Sequence, residues 1–416
     1  MSTSKSHKHS TKRRSSAPRS KRRAGELIAA VLLVVAVILV AGFIVSKVFG
    51  VESVGPVGVA DPSEAEAART RVLIDARLDA MSRAVLAGDQ EAYLAGVWPG
   101  DPVLATEQKN WAADLVSHRP EAFSLQIDPD SLILTDASAE ADLTMRWTMP
   151  GHKPRQADWR ARFRPVPEGV LYAGRAWRRL QGPGVLVLFD PHLVASARRV
   201  LEAYPGVARH VQDGFQLRFD SVQQIKLYRS MANLQASIYL SYTDPLAGWN
   251  EPGESVKMLV RNVQSERAVQ ITLAHELGHV ASFAMGERIV DAPWWVLEGV
   301  AELAAEQYTD SADRIDALVR RWASAGRLAD WEDISDFRST RPDLVGHVYA
   351  QGQHMVGFVS ERWGRGARNR WLRQMARGSS LDQATRDALG LSWADLDQAW
   401  RASLLQDRGE RLPIPE

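Results

Sequence analysis

From residue 63 onward the chain switches between two hydrophobic periods. Ser63 stands as an N-cap before Glu64 and Glu66, and apolar residues recur at helical spacing through Val72, Ile74, Leu78, Met81 and Leu86. That pattern predicts a helix. A second helix is expected over 104–117. The period then shortens to two. FSLQI (123–127), AEADLTMRWTM (139–149), ADWRARFRPV (157–166) and GVLYAGRAWRRL (169–180) alternate as half-buried antiparallel strands do. Helices followed by a strand meander predict a small α+β unit of about 120 residues.

QGPG (181–184) marks a boundary. Beyond it VLVLFD (185–190) reads as a buried strand and 192–214 as a helix. SVQQIKLYRS (221–230) and SVKMLVRN (255–262) read as further strands, parted by a loop containing YTDPLAGWNEPGE. From Ser265 the pattern is mostly helical, so the second half is again α+β, a small sheet followed by helices. The expected domains are 63–182 and 183–408, with a short tail at 409–416.

The N-terminal fifty residues have another character. Leu27–Val45, LIAAVLLVVAVILVAGFIV, runs without a charge and is long enough as a helix to cross the roughly 30 Å hydrocarbon layer. Ten Lys or Arg and one acid, Glu26, fall in the first fifty residues, nine of the bases ahead of the apolar run. By the positive-inside rule this holds a basic tail (1–23) in the cytoplasm and sends the rest outside. A cleaved signal peptide would have a shorter apolar region and a small-residue cleavage site, and SKVFGVESVG offers none. The expectation is a single-pass anchor at 24–48, a linker at 49–62 and an extracytoplasmic remainder.

Removing those fifty residues leaves 41 bases against 49 acids, a net charge of −8. An acidic remainder argues against nucleic-acid binding through phosphate contacts. The chain has no cysteine, which excludes disulfides, thiolate metal ligands and cysteine nucleophiles.

The candidate chemistry lies in AHELGHVASF (274–283). On a helix His275 and His279 are one turn apart on one face and can converge on one ion. Two imidazoles and one more protein ligand would hold zinc with a position left open, and Glu276 would sit beside the ion as a base. With 10 histidines in 416 residues, an H-E-x-x-H match arises by accident in about 1 in 70 such chains, so a pair of ordinary helix histidines is the competing reading. PWWVLEGVAELAAEQ (293–307) changes the weighing. Glu298 follows His279 after eighteen residues, and Glu302 stands one turn further on the same helix face. Glu298 can bind the metal and Glu302 can hold a ligating imidazole in one tautomer.

H-E-x-x-H followed after eighteen residues by E, within W-x-x-E-G-x-A-E, resembles the gluzincin metallopeptidases, and the peptidase MA-like group most. The resemblance covers about 185–405. It implies a zincin-like peptidase domain with His275, His279 and Glu298 as zinc ligands, Glu276 as general base and Glu302 as partner of a ligating histidine. HVYAQGQHMVGFVSERWG (347–364) resembles the helix that in aminopeptidase-like members carries an oxyanion-stabilising tyrosine, which implies that role for Tyr349. His347 and His354 are rival donors. A metzincin would need a histidine where Met285 stands. Leu297 replaces the usual asparagine before the ligand glutamate, and no G-x-M-E-N-type block is visible, so aminopeptidase specificity does not carry over. SVKMLV can offer an edge strand to an extended peptide. The 63–180 segment resembles the nuclear-transport-factor-2-like fold in pattern and length, which implies a spacer or interaction unit.

The sequence therefore points to a membrane-anchored, zinc-dependent peptidase acting on a peptide or protein outside the cytoplasmic membrane. The alternatives are an envelope-binding scaffold that has lost turnover, and hydrolysis of a non-peptide amide.

Overall fold

The computed structural model describes residues 64–242 and 246–406. The expected basic tail, the anchor Leu27–Val45, the linker and the tail 409–416 lie outside the described residues. Among the described residues no helix is long and apolar enough to cross a membrane.

Three helices come first: α1 (Glu64–Ala87), α2 (Gln90–Leu94) and α3 (Pro102–Ser117). Asp101 starts α3, its Oδ1 accepting from the amides of Val103 and Leu104 at 3.1 Å each. Pro102 occupies the first turn, where its missing N–H leaves no bond unmade. The helices pack on an antiparallel sheet of β1 (Ala122–Ile127), β2 (Ile133–Thr135), β3 (Ser138–Thr148), β4 (Arg155–Val166) and β5 (Gly169–Arg175). The strand order is β1-β3-β4-β5, with β2 also on β3. Ala139, Ala141, Leu143, Met145 and Trp147, alternate residues of β3, meet Ile74, Leu78, Met81 and Trp111 in one core.

The reading of 169–180 as one strand needs correction. The chain leaves this sheet at Arg175, and Ala176–Trp177 separates β5 from β6 (Arg178–Gly182), which belongs to a second sheet. A register shift opposite Ala161–Phe163 and a positive φ of 81° at Gly174 bend the chain here. Alternation continues through the bend, so periodicity alone merges the two strands.

The second sheet runs β6-β7-β8-β10-β9, with β7 (Val185–Phe189), β8 (Gln223–Tyr228), β9 (Gly248–Trp249) and β10 (Val256–Leu259). β7, β8 and β10 are parallel, and β6 and β9 are antiparallel edges. Helix α4 (Val194–Phe215) links β7 to β8, and the short α5 (Met231–Gln235) follows β8. β10 is thus an inner strand and cannot receive a peptide edge-on, contrary to the expectation for SVKMLV; the edge is β9. The parallel register sets Ile225 beside Val256, Lys226 beside Lys257 and Leu227 beside Met258. The apolar members enter the large core with α4. The two lysines, on the opposite face by the two-residue period, meet Glu107 of α3. Lys226 Nζ is 2.5 Å from Glu107 Oε2, and Lys257 Nζ is 3.4 Å from Oε1.

The rest is helical: α6 (Glu266–Ala284), α7 (Trp294–Ala305), α8 (Ala312–Ser324), α9 (Val345–Ala376, interrupted at Gly364), α10 (Leu381–Leu389) and α11 (Trp393–Leu405). Trp295, Trp371 and Trp400 are fully buried in its core, with Trp331 beside them. Truncating one such ring to alanine costs about 3–5 kcal/mol. The protein is α+β, with both sheets complete by Leu259 and helices beyond it.

Candidate metal centre and cleft

Ser265 caps α6, its hydroxyl accepting from Ala268 N at 3.1 Å, and from that start the rotation per residue sets His275 and His279 on one face. What brings α7 against this face is the lack of side-chain bulk. A Cβ at Gly278 would stand 2.7 Å from Ala301 Cα, and one at Gly352 of α9 would stand 2.3 Å from the carbonyl of Trp295. Three helices therefore approach at backbone distance, and their polar residues share one small volume.

Glu298 Oε2 lies 3.5 Å from His275 Nε2 and 3.6 Å from His279 Nε2. The three candidate ligand atoms all fall within 4.8 Å of one another. Ligands about 2.0–2.1 Å from a tetrahedral ion stand roughly 3.4 Å apart, close to what is seen. Glu298 Oε2 is buried without a hydrogen-bond partner, while Oε1 accepts from Trp294 Nε1 at 2.9 Å. A buried carboxylate oxygen left facing two imidazole nitrogens fits a divalent cation such as zinc. His275 Nδ1 is 3.2 Å from Glu302 Oε1, which assigns the proton to Nδ1 and turns Nε2 inward.

The electrostatics agree. Burial opposes charge on His275, but the neighbouring carboxylates of Glu298 and Glu302 outweigh it and hold its pKa well above the ordinary value. Burial would raise Glu298, yet the charges of His279 and His275 beside it hold it well below the usual carboxylate range. The pocket thus favours positive charge. Glu276 differs: burial raises its pKa, it is 3% exposed, and its Oε2 has no hydrogen-bond partner.

Tyr349 of α9 lies near-parallel to His275, ring centroids 6.3 Å apart, and edge-on to Trp294 at 6.3 Å. Burial and then the carboxylate of Glu298 push its hydroxyl well above the ordinary value, so it stays protonated and can donate. His347 and His354 are placed elsewhere. His347 stacks on Trp322 and its Nε2 is 3.0 Å from the Arg327 carbonyl. His354 accepts from Trp400 Nε1 and meets Asp316.

A cleft of about 360 Å³ opens onto the centre, lined by His275, Glu276, His279, Glu298 and Tyr349 together with Tyr242, Gly248, Trp249, Glu251, Phe283, Leu297 and Phe337. Several of these were not foreseen from the sequence. Gly248 passes so close to the base that a Cβ there would stand 2.2 Å from Glu276 Oε1. Tyr242, Trp249 and Glu251 sit in or beside the loop YTDPLAGWNEPGE, whose aromatic content was the available signal. Phe337 lies in DFRSTRP, which has no periodicity to flag it.

No protein-family model matches the chain, and no curated protein is similar to it. Among solved structures it is similar to yeast LTA4 hydrolase, at 14% identity and a TM-score of 0.39, over 61% of this chain and 44% of that enzyme. It is also similar to an M1 zinc metallopeptidase of Deinococcus radiodurans, at 16% identity and a TM-score of 0.32, over 71% of this chain and 64% of that one. A mutant of the latter gives 16% and 0.36, over 72% and 67%. The chain spans less than half the length of the yeast enzyme, and the likenesses are partial.

Proposed function

We propose that this protein is a zinc-dependent peptidase of the gluzincin kind, held at the membrane by Leu27–Val45 and acting on peptides or proteins outside it. One observation carries the reading: Glu298 Oε2, buried and unpartnered, faces Nε2 of both His275 and His279 at 3.5 and 3.6 Å. Zinc bound by these three residues would supply Lewis acidity, polarising a scissile carbonyl and making water acidic. Glu276, raised by burial and without a partner for Oε2, takes the proton of the attacking water and passes it to the leaving amine. Tyr349, protonated and ring to ring with His275, donates to the oxygen on which charge develops. Glu302 fixes the orientation of His275 through Nδ1.

A scaffold that had lost turnover would have no use for a desolvated carboxylate beside the ion, and the burial of Glu276 disfavours that alternative. The basic residues ahead of the apolar run support the orientation. The test is metal analysis of the purified chain together with cleavage of an unstructured protein. About one zinc per chain is expected, lost in His279→Ala. Glu276→Gln should keep zinc and slow cleavage by a factor of roughly 10² to 10⁴. Undiminished cleavage by Glu276→Gln would remove the base from its role.

A further inference from the structure

Helix α3 lies in the first half of the protein, yet three of its polar side chains bond to residues in or next to the lining of the cleft. Glu107, Asn110 and Asp114 follow one another at helical spacing and share a face. Glu107 Oε1 accepts from the amide of Ser255 at 3.3 Å and from the Ser255 hydroxyl, while Oε2 takes Lys226 Nζ. Asn110 Nδ2 donates to Glu254 Oε1 at 2.8 Å and to Glu251 Oε2 at 3.4 Å. Asp114 Oδ2 accepts from Ser241 Oγ at 2.7 Å, and its Oδ1 is 3.5 Å from Arg338 Nη2 and 2.9 Å from His118 Nδ1.

These partners bracket the aromatic wall. Ser241 precedes Tyr242, Arg338 follows Phe337, and Glu251, Glu254 and Ser255 follow Trp249. Tyr242 stacks on Phe337 at 5.3 Å and 15°, and Trp249 meets Phe337 at 5.9 Å. The wall's backbone support is short: β9 pairs with β10 at Gly248–Met258 and Trp249–Lys257, and the Ala247 carbonyl accepts from Leu259 N at 3.0 Å. Its position therefore rests on side-chain ties. Those from Glu107 to Lys226 and Ser255 and from Asp114 to Ser241 are made by buried carboxylates, each residue being 5% exposed, which makes them strong.

We propose that α3 is the platform that positions this aromatic wall. The first half of the protein then sets how tightly an extended peptide is held, while the metal centre performs the chemistry. The kinetic consequence rests on the peptidase reading; the structural one does not.

The test uses Asn110→Ala, Asp114→Ala and the double variant Asp114→Ala/Ser241→Ala in the full chain. Asn110 is half-buried, so its variant guards against a failure to fold. KM for a peptide substrate should rise roughly tenfold with kcat within about twofold and zinc content unchanged. The double variant should be no worse than Asp114→Ala alone, since that change already removes the acceptor of Ser241. In the same proteins, amide hydrogen exchange should quicken in 239–242, 248–255 and 336–340 and stay unchanged in β3 and β4. Unaltered exchange in the three wall segments would overturn the proposal. So would a rise spread evenly over β3 and β4, or a fall in kcat at constant KM. If the unmodified chain cuts no peptide, the peptidase reading fails by itself and exchange alone decides the platform.

Discussion

Glu302 Oε1 lies 3.2 Å from His275 Nδ1, one helical turn beyond the carboxylate that faces Nε2 of the same ring. The imidazole is held from both sides, and only one rotation of the ring satisfies both contacts. Glu302→Gln keeps the shape but removes the anionic acceptor. Zinc affinity, measured by competition with a chelator, should fall about 10–100-fold, while the unfolding temperature of the zinc-free protein changes little. Unaltered affinity would show that His275 is oriented by packing alone.

Gly248 borders the site as a spacing requirement. Its missing Cβ would stand 2.2 Å from Glu276 Oε1 and 2.8 Å from the Lys257 carbonyl. Gly248→Ala must displace either the base or the edge strand, at a cost of about 1–3 kcal/mol in the usual range for overpacking. Cleavage should drop at least tenfold while zinc stays bound. A fully active alanine variant would mean that β9 has room to withdraw.

Tyr349→Phe removes one hydroxyl from a side chain buried against His275 and Trp294. If that hydroxyl donates to charge arising only in the transition state, kcat should fall by about 10²–10³ and KM should hardly move. Zinc stoichiometry should remain as in the unmodified protein. A change confined to KM would make Tyr349 part of the cleft wall and no more.

Glu107 gives a pH dependence away from the metal centre. Burial alone would raise it, but the Lys226 and Lys257 ammoniums, with hydrogen bonds from Lys226 and Ser255, bring it down from 4.5 to about 2. A depressed folded value means that its stabilisation is complete above about 4.5 and lost as pH falls toward 2. The group should contribute on the order of 3 kcal/mol across that window. Urea unfolding at several pH values between 5 and 2.5 should show the loss, and Glu107→Gln should flatten it. An equal acid slope in the variant would place the effect on other carboxylates.

Much of the local architecture could be read from one-dimensional pattern. α1, α3, α4 and β3 fall close to where periodicity sets them, since rotation per residue is a local property. The strand pair at 169–182 was not separable, because β5 and β6 both alternate and the bend between them comes from Gly174 and a register shift across the sheet. β10 likewise carries an edge-like sequence with a lysine inside it, Lys257, yet it is an inner strand. Its Lys257 is neutralised by Glu107 and Glu254, partners 150 and 3 residues away along the chain.

Residue spacing was enough to show that His275 and His279 share a helix face, that Glu298 and Glu302 share another, and that a base stands next to the first histidine. The reason is the fixed pitch of a helix, which needs no distant contact. Long-range packing was needed to show that the two faces meet, with Glu298 facing both imidazoles, that Gly248 presses on Glu276, and that Phe337 lines the cleft. Those outcomes depend on side-chain volume at helix crossings such as Gly278 against Ala301 and Gly352 against Trp295, which is a property of pairs far apart along the chain.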